Sequence, residues 1–329
     1  MSAKERAWTW ETPGDSLSLR LAPQAVPEPR SGELIVANRV IALNPVDWKV
    51  VESGIESWQP GHIPGVDGAG IVLKVGPGVL NKVGDRIAYH QDLTRNGSFA
   101  SYTCISAAAA LPIPSALSDE VAASVPCPGL TAWQALDKVP LQSNRDVLIT
   151  GGGGSAGLFL VQLALRRGFR VWTTASAKHR SRLLSLGVGH VFDYRSADWR
   201  AELQEKLGAR KLFAAFDTVS GDHAQSLTPL VGYNGHIVCI QDRLSAPVVP
   251  PFSKAISQHE VALNAIFSHG TDRDWQIHRE AAARIMEQLV DASLQPPSII
   301  RFDFEELPSA MTPLKDGQHS GKFVTVLPS

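Results

Sequence analysis

Short runs of Val and Ile, broken by Gly, Pro and Asn, dominate about the first 125 residues of this 329-residue chain. This punctuation predicts strands at Glu33–Val40, Gly70–Val75, Asp85–Tyr89 and Ser98–Ile105 in a compact, barrel-like β domain. From about Ser118 the pattern changes. Asp119–Val125 and Thr131–Lys138 carry helical spacing, separated by Pro126-Cys-Pro-Gly129. Strands are then expected at Val147–Thr150, Arg170–Thr174, His190–Asp193, Ala214–Val219 and Gly235–Ile240. They alternate with helices expected at Ser155–Arg167, Lys178–Leu186, Ala197–Leu207 and His223–Leu230. Such alternation predicts an α/β fold with a doubly wound parallel sheet. After about His269 come one long helix, Asp274–Ala292, and a strand pair, Ile299–Phe304 and Lys322–Leu327. The expected organisation is 1–122 and 269–329 completing one domain, with 123–268 inserted between them.

The stretch Asp146–Gly157, DVLITGGGGSAG, says most about chemistry. An apolar strand runs into four glycines and then into a helix carrying Leu158, Leu160, Val161 and Leu163. Gly152-x-Gly154-x-x-Gly157 has the dinucleotide-binding spacing. The first glycine is expected to permit a tight turn, the second a close approach to pyrophosphate, and the third helix–strand packing. A glycine run matches many patterns, but here strand, loop, helix and second strand follow in the required order. Val147–Leu165 also lacks charge, as a membrane span would, yet its Gly, Ser and Thr cluster in one place and no second span exists.

The chain has 31 basic and 32 acidic side chains, which argues against nucleic acid or an anionic membrane as a bulk partner. Cys104, Cys127 and Cys239 share no metal-type spacing, and the first residues hold no apolar core of signal-peptide length. A reduced, cytoplasmic protein is the expectation.

An acid about 20 residues past the glycine loop would bind the adenosine ribose and favour NAD. Here the second strand instead runs into Ser176, Lys178, His179, Arg180 and Arg182. Cations at a helix start oppose its dipole, so mere decoration is disfavoured. Ser176, Lys178 and Arg180 are expected to hold a 2′-phosphate, which makes NADPH the expected cofactor.

Several motifs now accumulate in order: Ala42-Leu-Asn-Pro-Val-Asp-Trp48, Pro64-Gly-Val-Asp-Gly-Ala-Gly70, Val83-Gly-Asp-Arg86, Gly97-Ser-Phe-Ala-Ser-Tyr102, Gly129-Leu-Thr-Ala-Trp133, the glycine loop, Val191-Phe-Asp-Tyr194 and Gly321-Lys322. Together they resemble the medium-chain dehydrogenase/reductase superfamily, in its zinc-free quinone oxidoreductase, zeta-crystallin-like branch. The resemblance covers nearly the whole chain. It implies a GroES-like substrate domain, a Rossmann domain and a cleft between them for the nicotinamide.

The resemblance also assigns roles. Zinc-dependent members hold their metal with Cys, His and Cys; the matching positions here are Asn44, Val66 and Cys127, so no metal is expected. The region of a structural zinc, Tyr89–Asn96, has no cysteine, and His90 there reads as a surface residue. Gly152, Gly153, Gly154, Ser155, Ala156 and Gly157 are expected to bind the pyrophosphate. Asn44, Thr131, Ser220, Phe267, Ser268 and Lys322 fall where family members contact ribose, nicotinamide or phosphate, and Tyr194 falls at the adenine or 2′-phosphate site. Tyr194 reads equally as an aromatic covering the sheet end. Cys127 is either a small buried apolar residue or a thiol near the nicotinamide. Asp47 either relays protons or orders its loop. Asn44, Asp47 and Cys127 are thus the catalytic candidates.

The implied activity is NADPH-dependent reduction of a quinone or an α,β-unsaturated carbonyl. Trp48, Trp58 and Phe267 are expected to line a pocket for a flat or apolar electrophile. Thioester enoyl reductases of this family use a tyrosine donor after the Asn-Pro segment, where this chain has Ser53-Gly-Ile-Glu-Ser-Trp58. A trans-acting enoyl reductase and a non-catalytic NADPH-binding sensor remain the alternative readings. A homodimer is expected, with Pro247–Phe252 and Ala262–Phe267 as the candidate sheet edge.

Overall fold

Glu33–Ala42 is a long strand buried on both faces. Successive side chains of a strand point to opposite sides. Leu34 and Val36 accordingly join Val72, Ile87, Tyr89 and Ile105 in one core. Ile41 joins Trp10, Trp58, Phe99, Met311 and Phe323 in another. The computed structural model describes residues 5–219, 221–317 and 320–327. It divides into two compact units, Met1–Cys127 with Asn264–Ser329, and Pro128–Leu263.

The first unit is built on a seven-stranded sheet. Its order is Ile299–Phe302, Lys322–Val326, Glu33–Ala42, Asp67–Val75, Arg86–His90 and Leu111–Pro112, with Tyr102–Ser106 also pairing Glu33–Ala42. The pair Ile299–Phe302/Lys322–Val326 is parallel and the other pairs are antiparallel. In the long helix Asp272–Val290, Trp275, His278, Ala282, Ile285 and Leu289 are buried at three- and four-residue spacing. Its first turn is closed by a capping box between Thr271 and Asp274.

Two helices of this unit differ from the sequence-based expectation. Pro45–Ser53 and Leu307–Lys315 were not foreseen. Each begins with a proline at its first or second position, where the missing N–H would have had no intrahelical partner. Proline therefore marks a helix start here rather than a loop. The same reason corrects Pro126-Cys-Pro-Gly129, which is no separator but the opening of the helix Pro126–Asp137.

The second unit carries a six-stranded parallel sheet. Its order is His190–Phe192, Arg170–Thr174, Asp146–Ile149, Leu212–Asp217, Val231–Cys239 and Ser257–Glu260. In sequence terms this is 3-2-1-4-5-6, the dinucleotide-fold order, which reverses direction between the first and fourth strands. Asp146 anchors the start of the central strand. Its buried carboxylate accepts from Arg170, Arg210 and the Trp172 indole. The sheet edge is Ser257–Glu260 and neither expected segment: residues 247–252 form turns, and Ile266–His269 is a short helix. Among the described residues no helix is long and apolar enough to cross a membrane.

Candidate nucleotide and active sites

In the second unit the strand Asp146–Ile149 delivers the chain to the glycine loop at the carboxyl end of the sheet. The left-handed residue of the turn is Gly151, with φ of 65°, one position before the fingerprint's first glycine. Gly152 is instead confined by packing: an added Cβ would collide with Thr173, whose hydroxyl is held by the Ile149 carbonyl at 2.6 Å. A Cβ on Gly157 would strike the Gly151 carbonyl and lie 2.9 Å from Gly152 Cα, so helix and loop touch through backbone there. Gly154 is the N-cap of the helix Ser155–Arg166 and supplies no side-chain cap. The first N–H groups of Ser155, Ala156 and Gly157 thus remain for an anion at a positive dipole end.

The neighbouring strand end is locked to this loop by a group the sequence reading missed. Buried Asp217 accepts from the Thr150 hydroxyl at 2.8 Å, from His223 Nδ1 at 2.7 Å and from the Val219 N–H at 3.2 Å. Burial pushes its pKa up, but His223 and these bonds outweigh burial and leave it below the usual range. Thr218 in turn bonds Thr150 twice. The only sequence sign was an acid closing an apolar strand.

Ser176 is buried at the start of the helix Ala177–Ser185, and Lys178 is exposed in its first turn. Arg180 donates to the Val191 carbonyl at 2.6 Å. Tyr194 is 51% exposed, and the Arg195 guanidinium, not foreseen from sequence, lies 5.6 Å over its ring. Ser220 lies outside the described residues.

In the first unit a buried polar network gathers around Asp67, which begins the strand Asp67–Val75. Asp67 stands directly across from His90 in the antiparallel register, so their side chains share one face. His90 Nδ1 lies 2.9 Å from Asp67 Oδ1. The Asn44 amide donates to Oδ2 at 2.9 Å, and the Cys127 N–H, at the opening turn of its helix, reaches both oxygens at 3.2 and 3.0 Å. Lys322 Nζ stands 3.7 Å from Oδ2 and donates to Asn44 Oδ1. His90 is only 5% exposed, which corrects the expectation of a surface residue; past Arg86 the strand Arg86–His90 is buried on both faces and has no solvent side.

Asp47 lies against this network. Its carboxylate accepts the backbone N–H of Asn44 at 2.6 Å and of Val66 at 3.2 Å. Burial raises its pKa to about 7, with the Asp67 charge adding, against the Asn44 and Val66 N–H groups and Lys322. A carboxyl whose folded pKa exceeds its unfolded value near 4 holds extra protons in the folded state, so its contribution to stability is full below pH 4 and lost as pH rises through 7. Asp47→Asn should therefore gain stability relative to the wild type between pH 5 and pH 8. Urea midpoints at the two values measure this, and a pH-independent difference would refute it.

The expected pocket residues are less uniform. Trp58 is a core residue, 5% exposed, edge-on to Trp10 and stacked on His62, with its indole bound to Leu93. Trp48 is half-buried, with Lys49 and Lys315 over its ring. Phe267 packs edge-on against Trp275, and Ser268 next to it is exposed. Lys322 is buried, its ammonium engaged by Asn44 and Asp67. Thr131 follows Cys127 by one turn of the same helix.

Known proteins share this architecture. Residues 30–115 match the alcohol dehydrogenase GroES-like domain, and residues 186–325 match a family described as zinc-binding dehydrogenase. Phthioceranic/hydroxyphthioceranic acid synthase of Mycobacterium tuberculosis (strain ATCC 25618 / H37Rv) is 27% identical over 326 residues, 96% of this chain but 15% of the synthase. The chain thus spans a small part of that relative. The trans-enoyl reductase tazE of Aspergillus terreus is 34% identical over 222 residues, 60% of this chain and 71% of that protein. The quinone oxidoreductase structure from Coxiella burnetii has the same fold, with a TM-score of 0.83 at 23% identity, covering 99% of this chain and 100% of that one. With a GroES-like unit, a 3-2-1-4-5-6 parallel sheet and a glycine turn at the strand ends, the chain belongs to the medium-chain dehydrogenase/reductase superfamily of oxidoreductases, whose fold implies a nicotinamide cofactor.

Proposed function

We propose that this chain is an NADPH-dependent, zinc-independent reductase of electron-poor acceptors, α,β-unsaturated carbonyls or quinones. The observation that carries the reading is the filled Asp67 carboxylate. Asp67, His90 and Cys127 bring ligand-type atoms within 4.8 Å of one another, the one such group among the described residues. A carboxylate offers about four acceptor positions. His90, Asn44 and the Cys127 N–H occupy them, and a buried ammonium stands beside them. A dication would have to break the His90–Asp67 bond and settle against Lys322. These residues do not fit zinc, and without a Lewis acid alcohol oxidation has no agent to polarise the hydroxyl.

The nicotinamide, when bound, supplies a hydride; the protein supplies orientation and exclusion of water. The helix start at Ser155–Gly157 is suited to the pyrophosphate. Ser176, Lys178 and Tyr194 stand at the carboxyl ends of the adjacent strands, where no acid follows Thr174 to favour a ribose hydroxyl. Lys178→Ala should lower kcat/KM for NADPH about 10- to 100-fold, the worth of a charge-assisted phosphate bond, and leave NADH nearly unchanged. Equal losses with both cofactors would remove the 2′-phosphate assignment.

A second reading, a trans-acting enoyl thioester reductase, is favoured by the likeness to the trans-enoyl reductase. Steady-state NADPH oxidation with an ortho-quinone, an alkyl enone and an enoyl pantetheine thioester, with and without EDTA, separates the readings. Turnover indifferent to EDTA supports a zinc-free reductase, and the preferred acceptor names the class. NADPH binding without turnover on any of the three would leave a sensor.

A further inference from the structure

We propose that His90, held by Asp67, is the proton donor of the reduction. This inference rests on the reductase reading above and deepens it. Hydride addition to an enone leaves an enolate, which needs a proton. The segment Ser53–Trp58 carries no tyrosine to give one, and its Trp58 is buried in the core with its N–H bound to Leu93.

His90 has the geometry the task requires. The residue is 5% exposed, and Nδ1 is fixed on Asp67 at 2.9 Å. No hydrogen bond among the described residues reaches Nε2, on the other side of the ring. Asp67 cannot swing away, because the Asn44 amide and the Cys127 N–H hold it from other directions. The next residue is equally fixed: the Gln91 N–H donates to Val66 at 2.7 Å, and its side chain bonds Asn96 and Cys104. The carboxylate on Nδ1 holds that nitrogen's N–H and fixes the orientation of the ring, so Nε2 is the nitrogen left to exchange a proton.

The groups near His90 are Asp67, bonded to Nδ1, Cys127, whose ligand-type atom lies within 4.8 Å, and His278 on the long helix, while Lys322 and Asp47 lie against Asp67. Burial, with His90 and Arg279 adding, lowers the pKa of His278 to about 4, so His278 adds no second cation at neutral pH. Asn44 and Lys322, the residues expected near the nicotinamide ribose, belong to the same network.

In the step itself, the substrate's β-carbon gains a hydride with the electron pair of the cofactor C–H bond, and the C=C pair moves onto the carbonyl. The enolate α-carbon then bonds the Nε2 proton. The N–H pair returns to the ring, which becomes neutral and recovers a proton from water. The substrate is reduced by two electrons and the cofactor oxidised by two.

The test uses the full chain, NADPH and an α-methyl enone. His90→Asn keeps an amide N–H for Asp67 and deletes Nε2. It should lower kcat about 10²–10³-fold, the worth of a general acid, and leave NADPH affinity by fluorescence titration unchanged. In D2O the wild type should place deuterium on one face of the α-carbon, and the variant on both. The alkaline limb of the wild-type kcat profile should vanish in the variant, and added imidazole should restore part of the rate. A variant that keeps the wild-type pH profile and single-face labelling overturns the role. If neither His90→Asn nor His90→Gln folds, the temperature dependence of the wild-type alkaline limb decides: an imidazole-type ionisation enthalpy supports His90, and a carboxyl-type enthalpy overturns it. No wild-type turnover on any enone overturns the role, whereas no turnover on quinone, enone or enoyl thioester overturns the reductase reading itself.

Discussion

Asp67→Ala should destabilise the first unit by about 3–5 kcal/mol, measured by urea unfolding at pH 7. The size follows from what the carboxylate holds. Asp67 is fully buried and stands opposite an ammonium, Lys322, that is 3% exposed. Removing the acid leaves that buried charge without its nearest counterion. It also removes the acceptor that the His90 Nδ1–H and the Cys127 N–H use, and one of the two acceptors of the Asn44 amide. Partners stranded by deletion cost more than the intact pair contributes. The double variant Asp67→Asn/Lys322→Met removes both charges and keeps an acceptor, so it should recover more than half of the loss. A loss below about 1 kcal/mol in Asp67→Ala would mean that the network follows the fold and does not stabilise it.

Gly157→Val should cost at least about 3 kcal/mol in the second unit, at the upper end of overpacking, and abolish nucleotide binding. Its Cβ has backbone on two sides, the Gly151 carbonyl and Gly152 Cα, neither of which can rotate away. Gly154→Ala makes the contrast. At φ −77° and ψ 165° any residue fits, and the nearest atom to its Cβ is the Gly151 carbonyl oxygen at 3.5 Å. Thermal melting should change little for Gly154→Ala, while NADPH affinity by fluorescence titration falls about tenfold as a methyl enters the path of the pyrophosphate. Equal stability of the two variants would refute the packing role of Gly157. Unchanged NADPH affinity in Gly154→Ala would refute the close approach.

The parallel strands of the second unit were legible because each records itself locally. Val147–Thr150, Arg170–Thr174 and His190–Asp193 are apolar runs bounded by Gly or charge, and each lies within two residues of the observed strand. The glycine loop was legible for the same reason, since turn, N-cap and helix start are neighbours in the chain. Legibility failed where a local sign had two meanings. Pro126 read as a break yet opens a helix, and Pro45 and Pro308 likewise stand in the first turn of theirs, where an N–H has no intrahelical partner to lose. The sheet edge was misplaced for a different reason: Ser257–Glu260 is a polar strand with no apolar alternation to announce it.

By itself, then, the sequence determined the two folds and the nucleotide turn, whose hydrophobic periods and glycine spacing are properties of consecutive residues. Only the tertiary structure decided the active-site candidate. Asp67 meets Asn44 across 23 positions and Cys127 across 60, and Asn44 meets Lys322 across 278. His90 faces Asp67 because two antiparallel strands pair in one register, and a slip of one residue would turn it to the opposite face. No period along the chain encodes that meeting; it follows from strand pairing and from the cost of burying charge without partners.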